Sequence, residues 1–283
     1  MITQKAYAKI NLFLNVTGKK PDGFHTLEMI NARIDLADTI TMSQIDLPNT
    51  AIIRSNDLFL SSQDNIVHDL AVYLINTYRP NHGIRIDIDK QIPFGAGLGG
   101  NSADCATLIH SLDDLFALRL TDEEKTGIAL RFGADIPYCL TNLPALVEGV
   151  GEKVTPIAIN LSDYEVLLVH PRIFIATKDI FALGDKQGFQ NTDIHLALTR
   201  LKDDDIPGFM DLLHNSLQGI ALKKYPELET LHELLKSNLG AKGLVMTGSG
   251  STFIKLLRRG EKVNSGFIAK LREKYFVERF SFK

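Results

Sequence analysis

Cysteine is scarce in this chain: Cys105 and Cys139 are the only two among 283 residues. That excludes a disulfide-built scaffold. Neither belongs to a CxxC pair, so a structural zinc site is not expected either. No apolar run approaches the roughly 18 residues of a membrane span. The apolar stretch nearest the start, 10–16, is broken by Asn11 and Asn15, and no small-residue cleavage site follows it, so it does not read as a signal peptide. An excess of one charge is also missing, since 31 Lys and Arg against 34 Asp and Glu leave a formal net charge of −3. This disfavours a strongly basic nucleic-acid binder and a highly charged disordered chain. There is no internal repeat and no low-complexity linker, and the histidines show no HExxH-type spacing. The expectation is a reduced, cytoplasmic globular protein with neither nucleic acid nor membrane as partner.

The patterning supports a mixed fold. Ala6, Ala8, Ile10, Leu12, Leu14 and Val16 alternate with Tyr7, Lys9, Asn11, Phe13 and Asn15, which predicts a strand with one buried and one mixed face. A turn cluster spans 18–23. Strands are expected over 38–43, 50–55 and 83–90, and a helix over 65–77 that ends before Pro80. A glycine-rich segment then opens into a helix over 102–117. Thr121 and Glu124 form a capping box for the next helix, which stops near Gly133. A hairpin is expected over 145–150 and 153–157. Beyond a weak boundary near residue 160 the pattern restarts with a strand over 166–170, helices through 177–239, strands at 243–246 and 252–257 around a second glycine cluster at 247–251, a helix over 263–274 and a final strand over 275–282.

Gly95, Gly97, Gly99 and Gly100 formally match GxGxxG. A dinucleotide-binding unit also asks for an acidic residue about 20 positions on at a strand end. Asp113 and Asp114 have the spacing but lie in a helical pattern, so that reading fails. The same segment resembles a Walker A loop with Asn101 where its lysine belongs, which argues against a P-loop ATPase. The shared physics survives: a glycine turn exposes backbone N–H groups and leads into a helix N-terminus, which favours anions. A phosphate cradle is the economical reading, and a flexible strand-to-helix turn is the bland one. Lys9 alone reads as a solvated edge-strand lysine. Asp135, ahead of Ile136 and Pro137, alone reads as a helix N-cap. Phosphoryl transfer to a hydroxyl nevertheless asks for such a pair, a carboxylate to orient or accept the proton and a cation to offset developing charge. Phe24 and His25, just after a Pro-Asp-Gly turn, suit stacking on and hydrogen-bonding to a base, or else plugging the core.

Five motifs occur in order: the run around Lys9, Ile10 and Asn11; Asp22 to His25; the glycine loop from Pro93 to Ala103; Gly133 to Pro137 around Asp135; and Thr247 to Gly250. Together they resemble the galactokinase, homoserine kinase, mevalonate kinase and phosphomevalonate kinase (GHMP) superfamily over nearly the whole chain. The resemblance implies an α+β fold of two domains, 1–160 with the ATP-binding loop and 161–283, with the active site in the cleft between them. It implies ATP with Mg²⁺, the phosphates lying on Pro93, Gly95, Gly97, Leu98, Gly99, Gly100, Asn101, Ser102 and Ala103, and Asn65, in the run from Asp64 to Ile66, near the nucleotide. It implies Lys9 and Asp135 as the catalytic pair, with Asp135 as base. The motifs match the branch whose acceptor is a cytidine diphosphate-linked methylerythritol, so Asn11, Phe24 and His25 would grip the cytidine, with Phe181 as a second aromatic. Two departures stand out: Asn101 replaces a more usual glycine or serine, and Phe24 a usual tyrosine. The rivals are a sibling kinase of mevalonate or homoserine type, disfavoured by the Phe24–His25 pair, and a non-catalytic nucleotide-binding relative, disfavoured by intact Lys9 and Asp135.

Overall fold

The alternation near the start produces a strand longer than expected, β1 (Ile2–Lys19), in a computed structural model that describes residues 1–56, 65–79 and 81–283. Asp64 and Pro80, named above, lie outside these residues. The next strand, β2 (His25–Ile45), begins well before the expected 38. His25 is therefore its first residue rather than part of a loop. The run 31–37 mixes Asn31, Arg33 and Asp35 with apolar residues, which hid the strand. Asn31 and Arg33 are nevertheless buried.

Two compact units are built from interleaved segments. The first contains 1–9, 36–93 and 99–142. Here β3 (Ala51–Ser55) runs parallel to β4 (Gly83–Asp89), which pairs antiparallel with the second half of β2, Thr39 opposite Asp89. The alternation of Ile84, Ile86 and Ile88 turns all three into the core, on the side of helix α1 (Ile66–Tyr78), which packs in turn on α2 (Gly100–Phe116). Leu70 and Leu74 on α1 and Leu108 and Leu112 on α2 are at most 2% exposed; each such side chain contributes about 1.5–3 kcal/mol when fully buried. Thr121 caps α3 (Asp122–Phe132) with both hydrogen bonds of the capping box. A four-residue helix, α4 (Ile136–Cys139), follows and packs on α2.

The second unit contains 10–35, 94–98 and 143–283. The expected hairpin is β5 (Ala145–Gly149) with β6 (Lys153–Pro156), and β5 pairs antiparallel with the first half of β2. A four-stranded antiparallel sheet has the order β11-β7-β10-β9 once its strands are numbered: β7 (Tyr164–His170), β9 (Leu244–Met246), β10 (Phe253–Arg258) and β11 (Phe276–Ser281). Between β7 and β9 lie α5 (Thr177–Gln187), α6 (Ile194–Lys202), α7 (Ile206–Met210), α8 (Gln218–Lys224) and α9 (Pro226–Leu239), and α10 (Ser265–Arg272) precedes β11. A two-residue strand, β8 (His214–Asn215), interrupts the helices and pairs parallel with β1 at Phe13 and Leu14. Such a short element leaves no periodicity to read.

β1 has β2 on one side and β8 on the other in its sheet. Its supposed mixed face is closed: Lys9, Asn11, Phe13 and Asn15 are all at most 4% exposed. The solvated edge-strand reading of Lys9 is thereby overturned. Among the described residues no helix is long and apolar enough to cross a membrane.

Candidate active site

α2 starts at Gly100, two residues earlier than expected. The residue before it, Gly99, has φ +65°, and no side chain caps this helix. No acidic residue occupies its first turn either. The first N–H groups of a helix have no intrahelical partner, and the helix dipole adds positive potential there. The loop from Pro93 to Leu98 thus leads into a helix N-terminus of positive potential. Asn101 and Ser102 are half-buried in the first turn, and the buried Ala103 donates its N–H to the Gly99 carbonyl at 2.8 Å.

Two glycines here answer to close approach. A Cβ on Gly97 would stand 2.4 Å from the Thr247 carbonyl oxygen, and the hydroxyl of Thr247 donates to the Gly97 carbonyl at 3.4 Å. The two glycine clusters, far apart in sequence, therefore pack backbone to backbone within the second unit. In the first unit, a Cβ on Gly99 would lie 2.8 Å from Cγ of Lys9. The lysine stem runs directly over the last glycine before α2.

The head of that lysine reaches Asp135: Nζ to Oδ2 is 3.4 Å, with Lys9 buried and Asp135 40% exposed. Asp135 does stand at the N-cap position of α4, with Pro137 in the first turn, but its side chain makes no capping hydrogen bond. The carboxylate faces the lysine and solvent instead. Just ahead of the loop in sequence, Lys90 joins a second, largely buried charge cluster that sequence reasoning missed. Lys90 donates to Asp38 and, at 2.7 Å, to Asp104, while Asp38 also accepts the N–H groups of Gln91 and Ile92 at 2.6 and 2.8 Å. Burial pushes the Asp104 carboxyl up to about 7, with the Lys90 ammonium opposing. Burial lowers the Lys90 ammonium, but its two carboxylate partners outweigh this and hold it above its ordinary value. The cluster anchors both ends of the glycine loop, through the backbone at 91–92 and through Asp104 on α2. Its only local signal is an Asp89–Lys90 pair just ahead of the loop.

Asn65 caps α1, its Oδ1 accepting the N–H of Val67 at 2.9 Å. Asn11 is 1% exposed and occupied within the protein. It donates Nδ2 to Asn31 at 2.7 Å, accepts the Gly248 N–H at 3.0 Å, and its own N–H donates to Thr247 Oγ1 at 2.9 Å. It ties β1 to the second glycine cluster. Phe24 is 60% exposed, at a turn where Asp22 accepts its N–H. His25 stacks on Phe181, ring centroids 4.5 Å apart, and meets Phe189 edge-on at 5.7 Å. Its Nε2 lies 2.7 Å from Asp185 Oδ1, and the other oxygen of Asp185 accepts from Lys19 Nζ at 2.6 Å. His25 and Phe181 are thus brought together. Asp185, Lys19 and Phe189 were not legible in the sequence.

Comparison with known proteins identifies the family. The family profile described as GHMP kinases N terminal domain matches residues 65–142, and that of GHMP kinases C terminal matches 197–269. The 4-diphosphocytidyl-2-C-methyl-D-erythritol kinase of Clostridioides difficile is 33% identical over 281 residues, covering 98% of this chain and 94% of that protein. The enzyme of the same name from Clostridium botulinum is 35% identical over 278 residues, covering 96% of each. The chain belongs to the GHMP kinases, and its fold is the two-domain fold of that family. A crystal structure of a 4-(cytidine 5'-diphospho)-2C-methyl-D-erythritol kinase superposes with a TM-score of 0.80 at 26% identity over 99% of both chains.

Proposed function

We propose that this ATP-dependent kinase phosphorylates the 2-hydroxyl of 4-diphosphocytidyl-2-C-methyl-D-erythritol, a step toward isoprenoid precursors by the non-mevalonate route. The observation that carries the reading is the Lys9–Asp135 pair at 3.4 Å, with the lysine stem lying on Gly99 of the glycine loop. The full-length likeness to kinases of that name supports the choice of acceptor. A division near residue 160 leaves one family match on each side, which supports reading 1–160 as the ATP-binding domain and 161–283 as its C-terminal partner.

In this reading the N–H groups at the start of α2 hold the phosphates of ATP, with Gly97 and Gly99 letting the backbone come close. Asp135 accepts the proton of the acceptor hydroxyl as its oxygen bonds to the γ-phosphorus. The bond from that phosphorus to the bridging oxygen breaks, and ADP leaves. Lys9, sealed from water on its strand, supplies a fixed positive charge beside the carboxylate and the transferring group, where low dielectric makes it count. Asn65 would stand near the nucleotide. Phe24, His25 and Phe181 would hold the cytidine, with Asn11 shaping that subsite through the turn it holds. Among the described residues no three of His, Cys, Asp or Glu come together as a metal cage. An Mg²⁺ ion would accompany ATP. Such an ion neutralises phosphate charge when bound.

The test is ADP release from ATP with the cytidine-bearing compound, mevalonate and homoserine side by side. The cytidine compound should be strongly preferred. Greater activity on mevalonate or homoserine would overturn the acceptor assignment, and silence on all three would overturn the kinase mechanism.

A further inference from the structure

Phe174 is 60% exposed, in the segment 171–176 that links β7 to α5. An exposed ring by itself needs no explanation; this one is distinguished by what it covers. A Cβ on Gly95, the first glycine of the loop, would stand 2.5 Å from Phe174 Cδ2 and 3.0 Å from Cε2. The ring therefore rests on the bare backbone of Gly95, which has φ +64° and no room for a larger residue. On the loop itself, Phe94 lies parallel to Phe174, with ring planes 4° apart in angle and centroids 5.8 Å apart, an offset stack.

The chain that carries Phe174 is itself held. The carbonyl of Ile173 accepts the Ser251 hydroxyl at 2.5 Å. Ile175 is buried, and its Cδ1 lies 3.2 Å from where a Cβ on Gly250 would stand. Both contacts fix the segment to the second glycine cluster, 247–251. That cluster in turn packs on the loop at Gly97, where an added Cβ would meet the Thr247 carbonyl oxygen at 2.4 Å and that of Gly250 at 3.0 Å. Three segments of the second unit, 94–98, 171–176 and 247–251, thus close a circuit of contacts. The loop is gripped at Gly97 by one of them and at Gly95 by the other.

We infer that Phe174 is a positioning residue for the nucleotide: by covering Gly95 it holds the first half of the glycine loop in its phosphate-receiving shape before ATP arrives. This rests on the reading that the loop holds the phosphates of ATP. Phe174 touches neither ATP nor the reacting atoms in this account. Without the ring, Gly95 regains the backbone freedom of glycine, and binding has to order it again. The loss falls on nucleotide affinity, because ATP once bound restores the loop for the chemistry that follows.

The test compares wild type, Phe174→Ala and Phe174→Tyr by ATP titration, by ADP formation and by hydrogen exchange of the amides of 94–103 with and without ATP. Phe174→Ala should raise Kd and KM for ATP about 5- to 30-fold, the worth of ordering one more backbone residue, with kcat at saturating ATP changing far less. Its loop amides should exchange faster than those of wild type without ATP and regain protection with it. The contact with Gly95 is made by Cδ2, Cε2 and Cγ of the ring, so the hydroxyl that Phe174→Tyr adds on Cζ leaves it intact, and affinity should return. If ATP protects the loop amides of wild type but Phe174→Ala binds ATP as wild type does, or its loop exchanges no faster, the inference falls while the phosphate-loop reading stands. Faster exchange spread evenly over the second unit would make Phe174 a packing residue only and would also overturn the inference. If ATP binds wild type without protecting these amides, the phosphate-loop reading fails and this inference with it.

Discussion

Replacing Gly99 by alanine separates backbone strain from interference with Lys9. An L-residue in the left-handed region costs about 1–2 kcal/mol, and Gly99 has φ +65°. Gly260, with φ +76° and nothing within 4 Å of an added Cβ, carries the same backbone cost and no steric one. At Gly99 the new methyl would stand 2.8 Å from Lys9 Cγ and 3.1 Å from Cε. Carbon pairs rest at about 3.5–4.0 Å, so the lysine stem must move by roughly 1 Å. Lys9 is 4% exposed, so the displacement of its packed stem is passed to the ammonium beside Asp135. A misplacement of about 1 Å at a reacting group costs on the order of 10²-fold. Gly260→Ala should lose about 1–2 kcal/mol in urea unfolding, and Gly99→Ala at least as much. Only Gly99→Ala should also lose kcat, by about 10- to 100-fold in single-turnover ADP formation at saturating ATP. Equal kcat in the two folded variants would refute the claim that Gly99 sets the position of the lysine.

Three further outcomes are expected. Asp135→Asn should lower kcat by at least about 10²-fold with nucleotide affinity unchanged, and Lys9→Ala combined with it should fall far short of additivity; a lowered melting temperature with intact kcat would instead make Asp135 a structural cap. Phe24→Ala should leave stability within about 0.5 kcal/mol, because the ring is 60% exposed, yet raise KM for the cytidine compound about 5- to 150-fold, the worth of one stacked base, without changing KM for ATP. The Asp104 carboxyl, raised by burial to about 7, binds its proton more tightly in the folded than in the unfolded chain. The stability it contributes is therefore full below the ordinary carboxylate range and is lost as pH rises through about 7. Urea unfolding at about pH 5 and about pH 8 should show wild type losing stability relative to Asp104→Asn between the two values; a constant difference would contradict the shift.

The features legible in the sequence are those made by neighbours along the chain. Four glycines ahead of an apolar helical pattern specified the turn into α2, because positive φ and close backbone approach are local demands. Thr121 and Glu124, three residues apart, specified the start of α3. The hairpin of β5 and β6 followed from its glycine turn, and the ordered set of motifs was enough to indicate the kinase family. Tertiary structure alone decided what lies against these features. Period-two alternation tells which residues of β1 share a face, but not that β2 and β8 flank the strand and that both its faces are closed; only that made Lys9 a buried cation. β8, two residues long, has no pattern to detect. Asn11 met Gly248, His25 met Asp185, and Asp38 met Lys90 across separations of 237, 160 and 52 residues. A side chain's local sequence carries no record of such partners, since what fixes them is the packing of whole elements.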